Sequence, residues 1–223
     1  MWESFSGLGI NAIIGPSCSS ASISAADYLA LFKIPQLSPA STSATLSDST
    51  AYPYFARTPP TDAWQSKALA DVVKNLLGVE QVATVNSEDA YGSSGMQDFT
   101  TAAAATGIKV LASTSFVNDE VDFSSSIDVL RRSGAMVVVL FCQGPDAARF
   151  IQAMQAKGGD NITWVGSESV TPAVRAMVTS SSDQAVRLRG FVGMAQSGGF
   201  GKVHMTFTEK LSAFQTTVFG EGW

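Results

Sequence analysis

From Val79 onward the chain alternates short apolar runs with striped helical segments, and little lies between them. Val82-Ala83-Thr84-Val85 reads as a strand, and Met96, Phe99 and Ala103 mark a helix that Gly107 ends. Ile108 to Ala112 is the next strand. Phe123, Ile127 and Leu130 stripe the following helix, which Gly134 closes. Met136 to Phe141 is apolar without interruption. Ala147, Phe150, Ile151 and Met154 then form a helix before Gly158-Gly159, and Ile162 to Val165 is a fourth strand. Strands that are apolar throughout are covered on both faces, and strands alternating with helices pair in parallel. The pattern predicts an α/β fold with a doubly wound parallel sheet over about Val79 to Leu188. No segment repeats at a fixed period, which excludes a solenoid.

The preceding residues read the same way, but thinly. The apolar run Ile10 to Ile14 is expected to be a buried strand ended by Gly15-Pro16. Ile23, Ala26, Leu29, Ala30 and Phe32 then fall at helical spacing. Ile34 to Ser38 reads as a second short strand, Tyr52 to Arg57 as a third. Trp64, Ala68, Leu69, Val72, Val73 and Leu76 stripe an amphipathic helix, with Asp62 and Gln65 as its N-terminal capping pair. Behind the second layer, Leu188 to Ala195 reads as a strand leading out, and Val203, Phe207, Leu211 and Phe214 as a last helix. Two or three strands and two helices make a poor sheet. The first layer is therefore expected to be completed by the last segment and by sequence upstream of Met1. The divisions predicted are 1–77 for a partial first lobe, 78–188 for a second lobe, and 189–223 for a return segment.

Length and charge narrow the function. The 223 residues suffice for two lobes with cores of their own. A net charge of −5 without a basic run argues against nucleic acid as a partner. No stretch is long enough in apolar residues to span a bilayer, so any membrane association is expected from parts of a parent protein outside this chain. Cys18 and Cys142 are read as free thiols, and neither has metal-ligand spacing. The sequon Asn161-Ile162-Thr163 sits at the start of a predicted buried strand and is weak evidence for secretion. His204 stands alone, so a Ser/His/Asp or Cys/His arrangement has little to work with. Gly198-Gly199-Phe200-Gly201-Lys202 lacks phosphate-loop spacing and reads as a plain loop. No catalytic residue, cofactor or metal is expected.

Binding is better supplied. Gly15-Pro16-Ser17-Cys18-Ser19-Ser20 links a strand's carboxyl end to a helix's amino end, where unpaired N–H groups favour an anion. Taken alone the loop would suit phosphate as well as carboxylate. Pro39 to Thr45 is a second hydroxyl-rich loop at such a strand end. Thr61-Asp62, Glu88 to Gly95 and Gly166-Ser167-Glu168-Ser169 occupy the same end of other strands. Ligands of open α/β sheets settle there. Hydroxyls on one layer suit a carboxylate, while Asp62, Tyr91 and Glu168 opposite suit an ammonium.

Several stretches carry a family likeness. Ile13 to Ser20, Leu31 to Thr42, Leu46-Ser47-Asp48 and Phe55 to Asp62 resemble the ligand-binding ectodomain of class C G-protein-coupled receptors, closest to the metabotropic glutamate branch. The likeness continues through Glu88 to Gly95 and Val137 to Gly144 and is loose after Gly190. The wider family includes periplasmic amino-acid-binding proteins, cyclase-type receptors and ionotropic receptor amino-terminal domains. The resemblance implies a type I periplasmic-binding-protein-like clamshell that closes on its ligand. It implies that Ser19, with Ser20 and Ser41 beside it, holds an α-carboxylate. Thr42 would take the ammonium from lobe 1, and Ala40 would offer backbone at most. Asp62 would accept from the ammonium, Tyr91 would lay its ring against it, and Glu168 stands where glutamate receptors have Asp. Leu140 replaces a cysteine that pairs with the Cys142 position in that branch. The family's basic residues for an acidic ligand side chain fall outside the matching residues.

The expectation is thus an extracellular ligand-binding module of a membrane receptor that takes an α-amino acid and pairs through lobe 1. The alternatives are a free-standing periplasmic-type binding protein and the ectodomain of a cyclase-type or ionotropic receptor.

Overall fold

The computed structural model describes residues 9–195 of the 223. The last helical stripe, His204 and the Gly198 to Lys202 loop lie outside them. The elements run β1 (Ile13–Ile14), α1 (Ser19–Leu31), β2 (Gln36–Ser38), a 3-10 turn (Ala44–Ser47), β3 (Phe55–Arg57) and α2 (Asp62–Asp71, continued by a π turn over Val72–Leu76). There follow β4 (Gln81–Ser87), α3 (Ala90–Ala105), β5 (Lys109–Phe116), α4 (Ser124–Ser133), β6 (Val137–Phe141), α5 (Gly144–Ala156), β7 (Thr163–Gly166), α6 (Val170–Ser180), α7 (Ser182–Arg187) and β8 (Val192–Gly193). They form two sheets, parallel throughout: β1-β2-β3, and β5-β4-β6-β7-β8.

The five-stranded sheet is covered on both faces, as continuous apolar strands require. Val138, Val139, Leu140 and Phe141 of β6 are wholly buried at its centre. On one face Phe116, Phe123, Phe150 and Trp164 pack with ring centroids 5.1–6.2 Å apart, mostly edge to face. Such pairs add roughly 0.5–1.5 kcal/mol each to simple burial. On the other face Leu69, Ala70 and Val73 of α2 join Val82, Met96 and Phe99 in one core. Gly95 lets α3 come down onto β6, because a Cβ there would run into the Phe141 ring.

Four expectations change. α2 packs on the five-stranded sheet, so the chain passes between the units before Asp62 and not after residue 77. Strand β8, expected in a return segment, pairs with β7 at that sheet's edge, and Leu188 lies in its core. The inner face of α2 carries Asp62, Ser66, Leu69, Ala70 and Val73, leaving Trp64 66% and Leu76 72% exposed. The apolar stripe would have turned Trp64 inward. Ser66 Oγ donates to Gly95 O at 3.0 Å, and that contact with α3 fixes the other rotation. In the first sheet, β1 is shorter than expected and Ile14 is 82% exposed, because nothing among the described residues covers that face.

Candidate functional site

The polar loops meet where the two units touch. Within each sheet parallel pairing sends every strand's carboxyl end the same way, and the segments after β1, β2, β3, β4 and β7 carry the predicted residues. Ser20 Oγ accepts from Ala90 N at 3.1 Å, and Ser94 Oγ accepts from Ala44 N at 3.2 Å. Both bonds tie the first unit to the amino end of α3.

On the first wall, α1 begins after Cys18, which makes no side-chain cap. The first-turn amides of a helix have no intrahelical partner, and the residue before α1 does not cap them here. Buried Ser19 sits at that start, its Oγ accepting from Ser43 N at 3.2 Å. Ser41 is scaffold: its hydroxyl lies 2.8 Å from Ser22 Oγ and 3.1 Å from Ser17 O. Ala40 is exposed and its amide reaches Ser38 Oγ at 3.4 Å. Thr42 is buried, and its carbonyl accepts from Asp62 N at 2.9 Å, which joins the walls.

The second wall holds the charge. Thr61, and not Asp62, caps α2, its Oγ1 accepting from Ala63 N. Asp62 therefore stands in the first helical turn, 1% exposed, and lines a cavity together with Glu168. Asp62 Oδ1 accepts from Gln65 Nε2 at 2.9 Å, while Oδ2 is buried without a hydrogen bond. Burial, and then the Glu168 charge, push the Asp62 carboxyl up to about 7; Thr42, Gln65 and Arg57 pull the other way. Tyr91 is buried, with its Oη 2.9 Å from both Glu168 Oε2 and Ser167 Oγ. A phenol has one proton and a carboxylate can only accept, so Tyr91 donates to Glu168 and accepts from Ser167. Burial and the two carboxylates raise the Tyr91 hydroxyl well above its ordinary value.

Asp62, Tyr91 and Glu168 thus come together, and Thr42 with Ser19 adjoins them through Asp62 N and Ser43 N. Four further residues belong to the site. Gln65 links the acids: its amide nitrogen donates to Asp62 and its Oε1 accepts from Glu168 N at 2.7 Å. Its position one helical turn after Asp62 was the available signal. Ser167 supports Tyr91, and Ser43 supports Ser19. Arg57 Nη1 donates to Ser43 O at 2.6 Å and Nη2 to Ser47 Oγ; burial lowers its pKa and the Asp62 charge raises it.

A cavity of about 200 Å³ opens beside the acids, lined by Asp62, Glu168, Gln65, Trp64, Pro60 and Met194. Drug-sized pockets start near ~300 Å³, so whatever enters it is small. Ser19, Thr42 and Tyr91 are not on its lining. Among the described residues no cluster of His, Cys, Asp and Glu could hold a metal, and both cysteines are free.

Two parallel α/β units that converge polar loops at their strand ends define a periplasmic-binding-protein-like fold. Residues 3–219 match the receptor family ligand binding region, and the chain belongs to that family. Metabotropic glutamate receptor 6 of Rattus norvegicus is 33% identical over 200 residues, which is 87% of this chain and 23% of that receptor. Metabotropic glutamate receptor 8 of Homo sapiens is 36% identical over 165 residues, or 72% of this chain and 18% of the receptor. The chain spans less than a quarter of the length of these curated relatives. It is a receptor-type ligand-binding region, and those relatives are named as receptors and not as enzymes.

Proposed function

We propose that this region binds an α-amino acid at the junction of the two units and belongs to the extracellular part of a membrane receptor. The α-carboxylate would meet Ser19 and the open amides at the start of α1. The ammonium would lie between Thr42 on one wall and Asp62, Glu168 and the Tyr91 ring on the other.

The supporting observation is Asp62 Oδ2, a buried carboxylate oxygen without a hydrogen bond in a pocket that holds a second carboxylate. Two acids facing each other are costly to ionise, and a small cation between them removes that cost. The names of the metabotropic relatives agree with an amino-acid ligand. Contacts made from both walls would favour the closed arrangement, with a shift in population set by the difference in affinity between states. Pairing through the first unit belongs to the same proposal, supported by the exposed Leu31 and Phe32 at the end of α1.

Thermal unfolding of the full chain against the twenty amino acids tests the ligand class. A ligand at about 100 times its Kd should stabilise by about 2.7 kcal/mol. A panel in which no amino acid shifts the transition overturns the reading.

A further inference from the structure

We propose that Asn161 is an N-glycosylation site, placed so that its sugar covers the end of the second sheet farthest from the ligand. Asn161-Ile162-Thr163 is an acceptor sequon. From sequence it fell at the start of a predicted buried strand, which made it weak evidence for secretion. The structure moves it out. Strand β7 begins at Thr163, and Asn161 stands before it, exposed, in a turn between α5 and β7. Its side-chain amide makes no hydrogen bond among the described residues.

The turn is held in place on either side. Gly159 N donates to Met154 O at 3.0 Å, Thr163 N donates to Met136 O at 2.9 Å, and Asp160 pairs with Arg187 at 2.9 Å. Attachment precedes folding, so the folded chain has only to leave room for the sugar, and a fixed, exposed turn does so. The surroundings give the sugar something to cover. Asn161 borders a groove of about 220 Å³ with Leu130, Ala135, Met136 and Ile162 on its lining, and Met136 is 57% exposed. The amino end of β7 is also remote from the site. Glu168 follows the other end of that strand, seven residues away, or roughly 20 Å of extended chain. A glycan here leaves the ligand junction open.

In the transfer, Asn161 Nδ2 bonds to the anomeric carbon of N-acetylglucosamine on a polyprenyl-diphosphate-linked oligosaccharide. The bond from that carbon to the diphosphate oxygen breaks, the diphosphate leaves with the electron pair, and Nδ2 gives up one proton. The proposal rests on the receptor reading only for its route through the secretory pathway.

The test is expression of the full chain with its native flanking sequence in a eukaryotic secretory host. Amidase release of N-glycans in heavy-oxygen water, followed by mass spectrometry, should convert residue 161 to labelled aspartate. The electrophoretic shift on glycan release should vanish in Asn161→Gln and Thr163→Ala and persist in Thr163→Ser. A protease-protected, lumenal chain whose residue 161 stays unlabelled overturns the glycosylation and leaves the receptor reading standing. A chain found unprotected in the cytosol overturns the glycosylation and the extracellular assignment together.

Discussion

The wall that carries Ser19 and the wall that carries Glu168 both join a strand's carboxyl end to a helix's amino end, yet they leave different things unsatisfied. On the first wall the hydroxyls are paired among themselves, Ser41 with Ser22 and Ser19 with Ser43 N, and what remains open is the uncapped start of α1. On the second wall Thr61 caps α2 and Asp89 caps α3, its Oδ1 accepting from Gly92 N at 2.7 Å, while α6 has no side-chain cap and its Val170 and Thr171 amides donate to Ser167 O. What remains open there is charge: Asp62 Oδ2 has no partner, and Glu168 stands beside it. One wall offers hydrogen-bond donors and the other offers carboxylates, and the proposed zwitterion would meet both at once.

That contrast can be broken by mutation, and the second wall should be the more sensitive. Asp62→Ala removes the buried carboxylate that the proposed ammonium would face, and losing one partner of a buried charge pair costs about 2–5 kcal/mol. Calorimetry should find amino-acid affinity reduced by roughly one and a half to three and a half orders of magnitude. Ser19→Ala removes one hydrogen bond to a charged group and leaves the α1 amides, so the expected loss is smaller, about 1.5–3 kcal/mol. Should Ser19→Ala prove as damaging as Asp62→Ala, the two walls are not different in kind.

Acidity offers a third way to sharpen the comparison. The Asp62 carboxyl is raised to about 7 in the folded protein, above its ordinary 3.8. A group raised in this way contributes stability that is fully present below the unfolded value and is lost as pH rises through the folded one. The free protein should therefore melt at progressively lower temperature as pH rises from about 4 to above 7, and Asp62→Asn should flatten that slope. Ligand affinity should move the opposite way. An ammonium prefers the ionised acid, so affinity rises with pH by at most about tenfold per unit until Asp62 is fully ionised. An unchanged slope in Asp62→Asn would rule out Asp62 as its source. Smallest is Tyr91→Phe, which keeps the ring and removes the hydroxyl that holds Glu168. It should weaken binding by about 0.5–1.5 kcal/mol.

Much of this architecture was legible in the residues, for reasons that also explain what was not. The strands β4, β6 and β7 lie in a sheet covered on both faces, so their sequences are largely apolar, β6 without interruption, and could be read to within a residue or two. The face of α2 could not be read from its stripe, because the inner side carries Asp62 and Ser66 for the site, while Trp64 points outward under Lys67 Nζ at 5.0 Å. Ile10 to Ile14 failed in the opposite sense, an apolar run whose last residue is exposed. The passage between the units was misplaced because helical periodicity says that α2 is buried on one side but not against which sheet. In the site, the charged residues stood out by type and position. Gln65 and Ser167 stood in stretches already singled out, Gln65 as a capping partner of Asp62, but their contacts with Glu168 and Tyr91 span 103 and 76 residues of chain, which no local pattern records.

The central claim is that the two walls grip the two ends of one zwitterion. Its most direct test is calorimetric titration of the full chain with the amino acid that stabilises it most, alongside that amino acid's N-acetyl and C-amide derivatives. The account predicts that acetylation, which removes the charge facing Asp62 and Glu168, abolishes detectable binding. Amidation, which removes the charge facing Ser19 and the start of α1, should weaken binding strongly. Equal affinity for the free and the N-acetylated ligand would contradict it.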